Sequence, residues 1–176
     1  LKVHLSQGSE VTIIGVIGDK SKLSKSNLEL LEGVDKLVHV TESYKLSNKK
    51  FFAGPSIIKV GNCEIGGKEI VIMAGPCAVE SREQLLASAH AVKKAGAQIL
   101  RGGAYKPRTS PYSFQGLEEE GLKYMAEARE ETGLAIVCEV TSTQAVETAA
   151  KYVDMMQIGA RNMQNFQLLK EVGKTK

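Results

Sequence analysis

From Glu69 to Gly173 the chain alternates short apolar runs with longer runs of helical period, and this alternation limits the fold more than any other feature. Ile70 to Ala74, Ala97 to Leu100, Leu134 to Cys138 and Val153 to Ile158 read as strands. The first is continuously apolar and is expected to be buried on both faces. Helices are expected after Ser81 and over Leu117 to Thr132, Thr143 to Lys151 and Gln164 to Val172. Ser81 with Gln84 forms a capping-box signature, and Leu85, Leu86, Ala89 and Val92 make one apolar face. Gly96, Gly133 and Gly173 stand where glycine stops a helix. Four βα units in succession imply a parallel sheet with right-handed crossovers.

An open doubly wound sheet and part of a (β/α)8 barrel both accept this pattern. A Rossmann-type sheet places a Gly-rich phosphate fingerprint at its first βα turn, whereas that turn here is Gly75-Pro76-Cys77-Ala78-Val79-Glu80. Polar or reactive residues instead follow every strand: Cys77, Arg101, Glu139 and Arg161. A barrel assembles its site from such successive βα loops on one face. The expected fold class is therefore α/β, the first half of a (β/α)8 TIM barrel over residues 69–176.

Between the second strand and its helix lies an unusually long connection, Arg101-Gly102-Gly103-Ala104-Tyr105-Lys106-Pro107-Arg108-Thr109-Ser110-Pro111-Tyr112-Ser113-Phe114-Gln115-Gly116. Loops of this length are functional or disordered more often than not. Prolines and aromatics that constrain and anchor the backbone argue against disorder. Paired glycines let backbone N–H groups approach a ligand, and Lys106-Pro107-Arg108 sets two cations about a stiff residue. A solvated loop with solubilising charges is the plain alternative; an anion-holding loop is the reading these features favour.

The segment before Glu69 is organised differently. Val3 to Leu5, Val11 to Ile17 and Val34 to Val40 read as strands and Ser26 to Leu31 as a short helix. Strand, strand, helix, strand is the second part of a ferredoxin-like unit, expected over residues 1–45. A polar linker from Ser43 to Pro55 follows, with Lys45, Lys49 and Lys50 among Ser47, Asn48, Gly54 and Pro55; a β-hairpin then turns at Gly61-Asn62, so that 46–68 reads as linker and hairpin. The sequence starts at Leu1 without methionine and ends just after a helical run, so a chain cut at both ends is expected.

A net charge of +3 with no basic run gives no case for nucleic acid, and no apolar run approaches a membrane span. Without a signal peptide in view, a cytoplasmic setting is expected. Cys63, Cys77 and Cys138 are odd in number and widely spaced, which suits reduced thiols. Packing is the expected role of Cys63 and Cys138, and a structural or surface role that of His39 and His90.

Ala74-Gly75-Pro76-Cys77, the long loop from Arg101 to Gly116 and Gln157-Ile158-Gly159-Ala160-Arg161-Asn162 together resemble the signature segments of 3-deoxy-D-arabino-heptulosonate 7-phosphate (DAHP) synthases, over roughly residues 60–176. The N-terminal part resembles the ferredoxin-like regulatory domain of one subgroup. Related 3-deoxy-octulosonate 8-phosphate synthases typically carry Asn-Arg in the loop, where this chain has Pro107-Arg108-Thr109. The resemblance implies a metal-dependent condensation of phosphoenolpyruvate with erythrose 4-phosphate, the first step of the shikimate route to aromatic amino acids. It implies that Arg101, Lys106 and Arg161, with the backbone at Ala160, hold phosphoenolpyruvate, Lys106 doubling as a proton donor. Arg108, Thr109 and Ser110 would hold the phosphate of erythrose 4-phosphate, and Glu139 would position the water that attacks C2. Cys77, by composition as readily a small packed hydrophobe, coincides with the family's ligand for a divalent metal such as Mn²⁺. The remaining ligands, a His, a Glu and an Asp, come from later strands, so residues 1–176 alone are expected to be inactive. His4 and Ser6, which read equally as polar residues of an edge strand, resemble a strand that contacts tyrosine or phenylalanine as feedback inhibitor. A homo-oligomer, a tetramer in full-length form, is also implied. A non-catalytic phosphate- or amino-acid-binding fragment is the alternative.

Overall fold

The computed structural model describes residues 1–18, 23, 25–38, 47–49 and 54–175. The chain divides into two compact units, Leu1–Ser56 and Ile57–Lys176.

In the first unit β1 (Lys2–Gln7) and β2 (Thr12–Ile17) form an antiparallel pair, followed by the short helix α1 (Lys25–Glu29). No strand occupies the described residues 34–38, contrary to the expected Val34–Val40 strand; Val34 N–H instead closes a turn on the Leu31 carbonyl (3.1 Å). His39 and Val40 lie outside the described residues, as does most of the expected linker.

The second unit begins with the hairpin β3 (Ile58–Val60) and β4 (Cys63–Ile65). Four βα units follow: β5 (Met73–Ala74) and α2 (Arg82–Lys94), β6 (Ile99–Gly102) and α3 (Glu118–Thr132), β7 (Ala135–Val140) and α4 (Thr143–Ala149), β8 (Met155–Ile158) and α5 (Phe166–Val172). The strands pair in parallel in chain order, β5-β6-β7-β8. This is an α/β fold, a partial (β/α)8 barrel with its helices on one face of the sheet.

Local chemistry accounts for the boundaries. The Ser81 hydroxyl accepts the Gln84 N–H (3.1 Å) and opens α2. At its other end Gly96 N–H bonds to the Lys93 carbonyl and Ala97 N–H to the Val92 carbonyl, a paired closure that holds Ala97 on the helix and delays β6 to Ile99. Similarly, Val153 N–H stays on the Ala149 carbonyl, while the Asp154 carboxylate takes the Ile136 N–H (2.8 Å) and Arg129 (3.1 Å), so β8 starts at Met155. Asn165, whose side chain accepts the Leu168 N–H, starts α5 two residues later than the apolar pattern suggests. β5 is only two residues long, and Ile70, which precedes it, is 85% exposed rather than buried on both faces.

Alternation along the strands divides the core. Leu100, Ile136, Cys138 and Val140 face the helices and pack with Leu85, Leu122 and Met125. Ile99, Ala135 and Val137 face the opposite, inner side, where Val60 of the hairpin joins them. Leu122 is fully buried at the centre of the helix-side layer. Replacing it with Ala should lower unfolding free energy by about 2 to 5 kcal/mol in urea titrations of the full-length protein, since lost transfer energy adds to a residual cavity.

Candidate functional site

The inner face changes character along the strands. Parallel register pairs Ile99 with Ala135 and Arg101 with Val137, then Val137 with Met155 and Glu139 with Gln157. With a side-chain period of two, the apolar pairs lie toward the N-terminal ends, and Arg101, Glu139 and Gln157 toward the C-terminal ends. Arg101 and Glu139 lie within β6 and β7 rather than just beyond them.

At that end a cavity of about 210 Å³ is lined by Cys77, Arg101, Lys106, Pro107, Arg108, Glu139 and Arg161. Six of these are the residues singled out from sequence, gathered from four successive βα units. Thr109, Ser110 and Ala160 lie outside the lining. The Ser110 hydroxyl accepts the Tyr112 N–H (3.3 Å), and Ala160 opens a 3₁₀ turn. His4 is exposed and Ser6 half-buried on one face of β1, opposite Gly15 and Ile13 of β2 in the first unit.

The long loop, residues 103–117, is tied down at its base. Lys106 N–H donates to the Gln115 carbonyl (2.8 Å) and Glu118 N–H to that of Ala104 (2.9 Å); Ala104 N–H points at the Cys138 sulfur (3.4 Å). Of the aromatics expected to anchor the loop, Tyr105 packs against the core, whereas Tyr112 is 98% exposed. Burial pushes the Tyr105 phenol up to about 12.

Lys106 is buried, and its ammonium donates to the Cys77 carbonyl and approaches the Cys77 sulfur at 3.4 Å. Arg101 Nη1 donates to the same carbonyl (2.9 Å) and to that of Pro76 (3.3 Å). Arg161 Nη1 donates to the Pro107 carbonyl (3.2 Å), joining the turn after β8 to the long loop. A side chain at Gly103 would strike the Cys77 carbonyl and come within 2.7 Å of Lys106 Nζ, so these two loops pack together only across a glycine. Among the described residues none of Arg101, Lys106, Arg108 and Arg161 forms an ion pair with a carboxylate. Four cations that no carboxylate neutralises, three of them (Arg101, Lys106 and Arg161) fixed by carbonyls, are suited to an anion.

The Cys77 thiol is held below its ordinary pKa, first by the Lys106 hydrogen bond and then by Arg101, which favours thiolate, the form that ligates metals. One exposed thiolate fits one position of a metal shell. No group of three His, Cys, Asp or Glu able to hold a metal occurs among the described residues, so they offer a ligand but no complete shell. Cys138 is buried and its thiol is pushed up by that burial, in keeping with packing. No helix among the described residues is long and apolar enough to cross a membrane.

Fold and site together define a barrel-type α/β protein with a cationic pocket at the C-terminal ends of its strands. Residues 43–176 match the DAHP synthetase I family and residues 1–42 the DAHP synthase ferredoxin-like domain, and the chain belongs to this family. It is 46% identical over 173 residues to phospho-2-dehydro-3-deoxyheptonate aldolase of Thermotoga maritima, covering 98% of this chain and 51% of that protein. A crystal structure of the DAHP synthase from that organism superposes with a TM-score of 0.73 at 45% identity, over 98% of this chain and 50% of the other. A 2-dehydro-3-deoxyphosphooctonate aldolase of Syntrophotalea carbinolica is 30% identical over 129 residues, 69% of this chain and 47% of its own. The chain thus spans about half the length of these curated relatives.

Alkylation of Cys77 by iodoacetamide should proceed at pH values below those an ordinary thiol requires, because the neighbouring cations stabilise the thiolate. Lys106→Met should move the midpoint of the rate–pH curve upward. A curve unchanged by that substitution would show that Lys106 does not set the thiol's acidity.

Proposed function

We propose that this chain supplies the phosphoenolpyruvate and erythrose 4-phosphate sites of a DAHP synthase. Supporting the reading above all is the convergence of Cys77, Arg101, Lys106, Arg108, Glu139 and Arg161, from four successive βα units, on one pocket with uncompensated cations. The DAHP synthase relative at 46% identity and the Pro107-Arg108-Thr109 sequence favour the heptulosonate reaction over the octulosonate one.

In this reaction C3 of phosphoenolpyruvate forms a bond to the aldehyde carbon of erythrose 4-phosphate, water adds at C2, and inorganic phosphate departs. Arg101 and Arg161 would hold the phosphate and carboxylate of phosphoenolpyruvate, Arg through its two-pronged donor geometry. Lys106, poised between the Cys77 carbonyl and the pocket, adds charge and a transferable proton. Arg108, with Thr109 and Ser110 on the same loop, would receive the phosphate of erythrose 4-phosphate. Glu139, the carboxylate lining a cationic pocket, would orient the water that attacks C2. Cys77 would be one ligand of a divalent metal such as Mn²⁺, which when bound supplies polarisation of the aldehyde. With no complete shell among the described residues, residues 1–176 by themselves are proposed to be inactive.

Residues 1–45 would form the regulatory part, 46–68 a linker and hairpin, and 69–176 four catalytic βα units. His4 and Ser6, on one face of β1, would then contribute to a tyrosine or phenylalanine site. Thiols left free at Cys63, Cys77 and Cys138 are in keeping with a cytoplasmic setting.

In the full-length protein Arg161→Ala should raise KM for phosphoenolpyruvate and lower kcat/KM by about 10- to 150-fold, as expected for one charge-assisted bond of roughly 1.5 to 3 kcal/mol. Arg108→Ala should instead raise KM for erythrose 4-phosphate selectively. Steady-state kinetics with each substrate varied separates the two; equal losses for both substrates in both variants would refute the assignment.

His4→Ala should leave uninhibited turnover nearly intact while weakening inhibition by tyrosine or phenylalanine, because coupling between separate sites can be lost without loss of chemistry. Inhibition curves unchanged for both amino acids would refute the effector role.

A further inference from the structure

Glu139 is the carboxylate among the pocket's lining residues, set with Arg101, Lys106, Arg108 and Arg161. Left to itself, a carboxylate on a flexible side chain would be drawn onto one of those cations, and the resulting ion pair would consume both the anion site and the acceptor. Two features hold it elsewhere. Gln157, its register partner on β8, donates from Nε2 to Glu139 Oε2 at 3.4 Å. On the other side, Oε1 packs against the backbone of Gly159, where a β-carbon would collide with the carboxylate.

We infer that Gln157 is a positioning residue, which together with the open backbone at Gly159 holds the Glu139 carboxylate clear of the pocket's cations. This inference rests on the reading of Glu139 given above and deepens it. An amide suits the task because it donates a hydrogen bond without adding charge. It orients the carboxylate and leaves it anionic, with acceptor capacity to spare for a water, whereas Lys or Arg at 157 would neutralise it. Gln157 also lines a second cavity, of about 460 Å³, along the inner sheet face with Met73, Val137 and Met155. The site thus has three tiers on the inner face: apolar packing below, an amide–carboxylate pair above it, and cations around the mouth.

The test is a double-mutant cycle in the full-length protein with phosphoenolpyruvate and erythrose 4-phosphate as substrates. Gln157→Leu keeps the volume and removes the donor. It should lower kcat by about three- to tenfold, the loss of one orienting hydrogen bond, and raise KM for phosphoenolpyruvate, because the released carboxylate then competes for the cations that hold that substrate. In a Glu139→Gln background the same substitution should cost nothing further, because the carboxylate it positions is gone. Unchanged kcat in Gln157→Leu, or losses that multiply in the double variant, would overturn the inference. A Glu139→Gln variant with full turnover would overturn the assignment of Glu139 and this inference together; a slow Glu139→Gln beside a fully active Gln157→Leu would overturn this inference alone. Should Gln157→Leu fail to fold, the near-isosteric Gln157→Glu tests the same point as a single variant. It removes the donor and sets a like charge beside Glu139, so its kcat should fall at least as far, and full activity would overturn the inference.

Discussion

Parallel pairing of β6, β7 and β8 is the constraint on which the rest of the second unit depends. Its hydrogen bonds set Arg101 beside Val137 and Glu139 beside Gln157, and side-chain alternation then fixes which residues meet on each face. A slip of one residue in β7 would turn Glu139 toward the buried helix-side layer and Cys138 toward the pocket. Large desolvation costs oppose that slip, since an unpaired carboxylate in the layer of Leu122 and Met125 would be expensive. The burial that stabilises the sheet therefore also aims the site.

Above the sheet, backbone carbonyls take the part that carboxylates play elsewhere on this protein. Arg82 is paired with Glu127 and Arg129 with Asp154, on the helical side of the fold. Arg101, Lys106 and Arg161 of the pocket instead rest on the carbonyls of Pro76, Cys77 and Pro107. A carbonyl dipole orients a cation without cancelling its charge, so the cations are placed in advance of any ligand and remain attractive to an anion. The close approach of loops this requires is possible because Gly103 has no side chain to separate them.

Cys77 and Cys138 show how far environment outweighs residue type. Cys77 is exposed beside two cations, which stabilise its thiolate. Cys138 is buried in the helix-side layer, where desolvation favours the neutral thiol, and its sulfur meets the Ala104 N–H at the base of the long loop. One is held toward the thiolate, while the other packs in the core and meets the base of the loop that carries Lys106.

Order and type of the elements in the second unit were legible in the sequence because they rest on local physics: apolar period, the Ser81 cap, and glycines after α2 and α3. Placement of Cys77, Arg101, Glu139 and Arg161 at strand ends was legible for the same reason, since a chain of βα units has only one end at which successive connections can meet. Other features depended on partners distant in sequence. The late start of β8 accompanies the bond of the Asp154 carboxylate to the Ile136 N–H, 18 residues away in sequence. Nothing local distinguished Thr109 and Ser110, outside the pocket lining, from Arg108 within it. Nor did the sequence mark Gln157 as a neighbour of Glu139, although alternation and parallel register, once known, require it. Periodicity and capping are encoded over a few residues, whereas register, edge position and the direction of a side chain are settled only when strands far apart in the chain exchange hydrogen bonds.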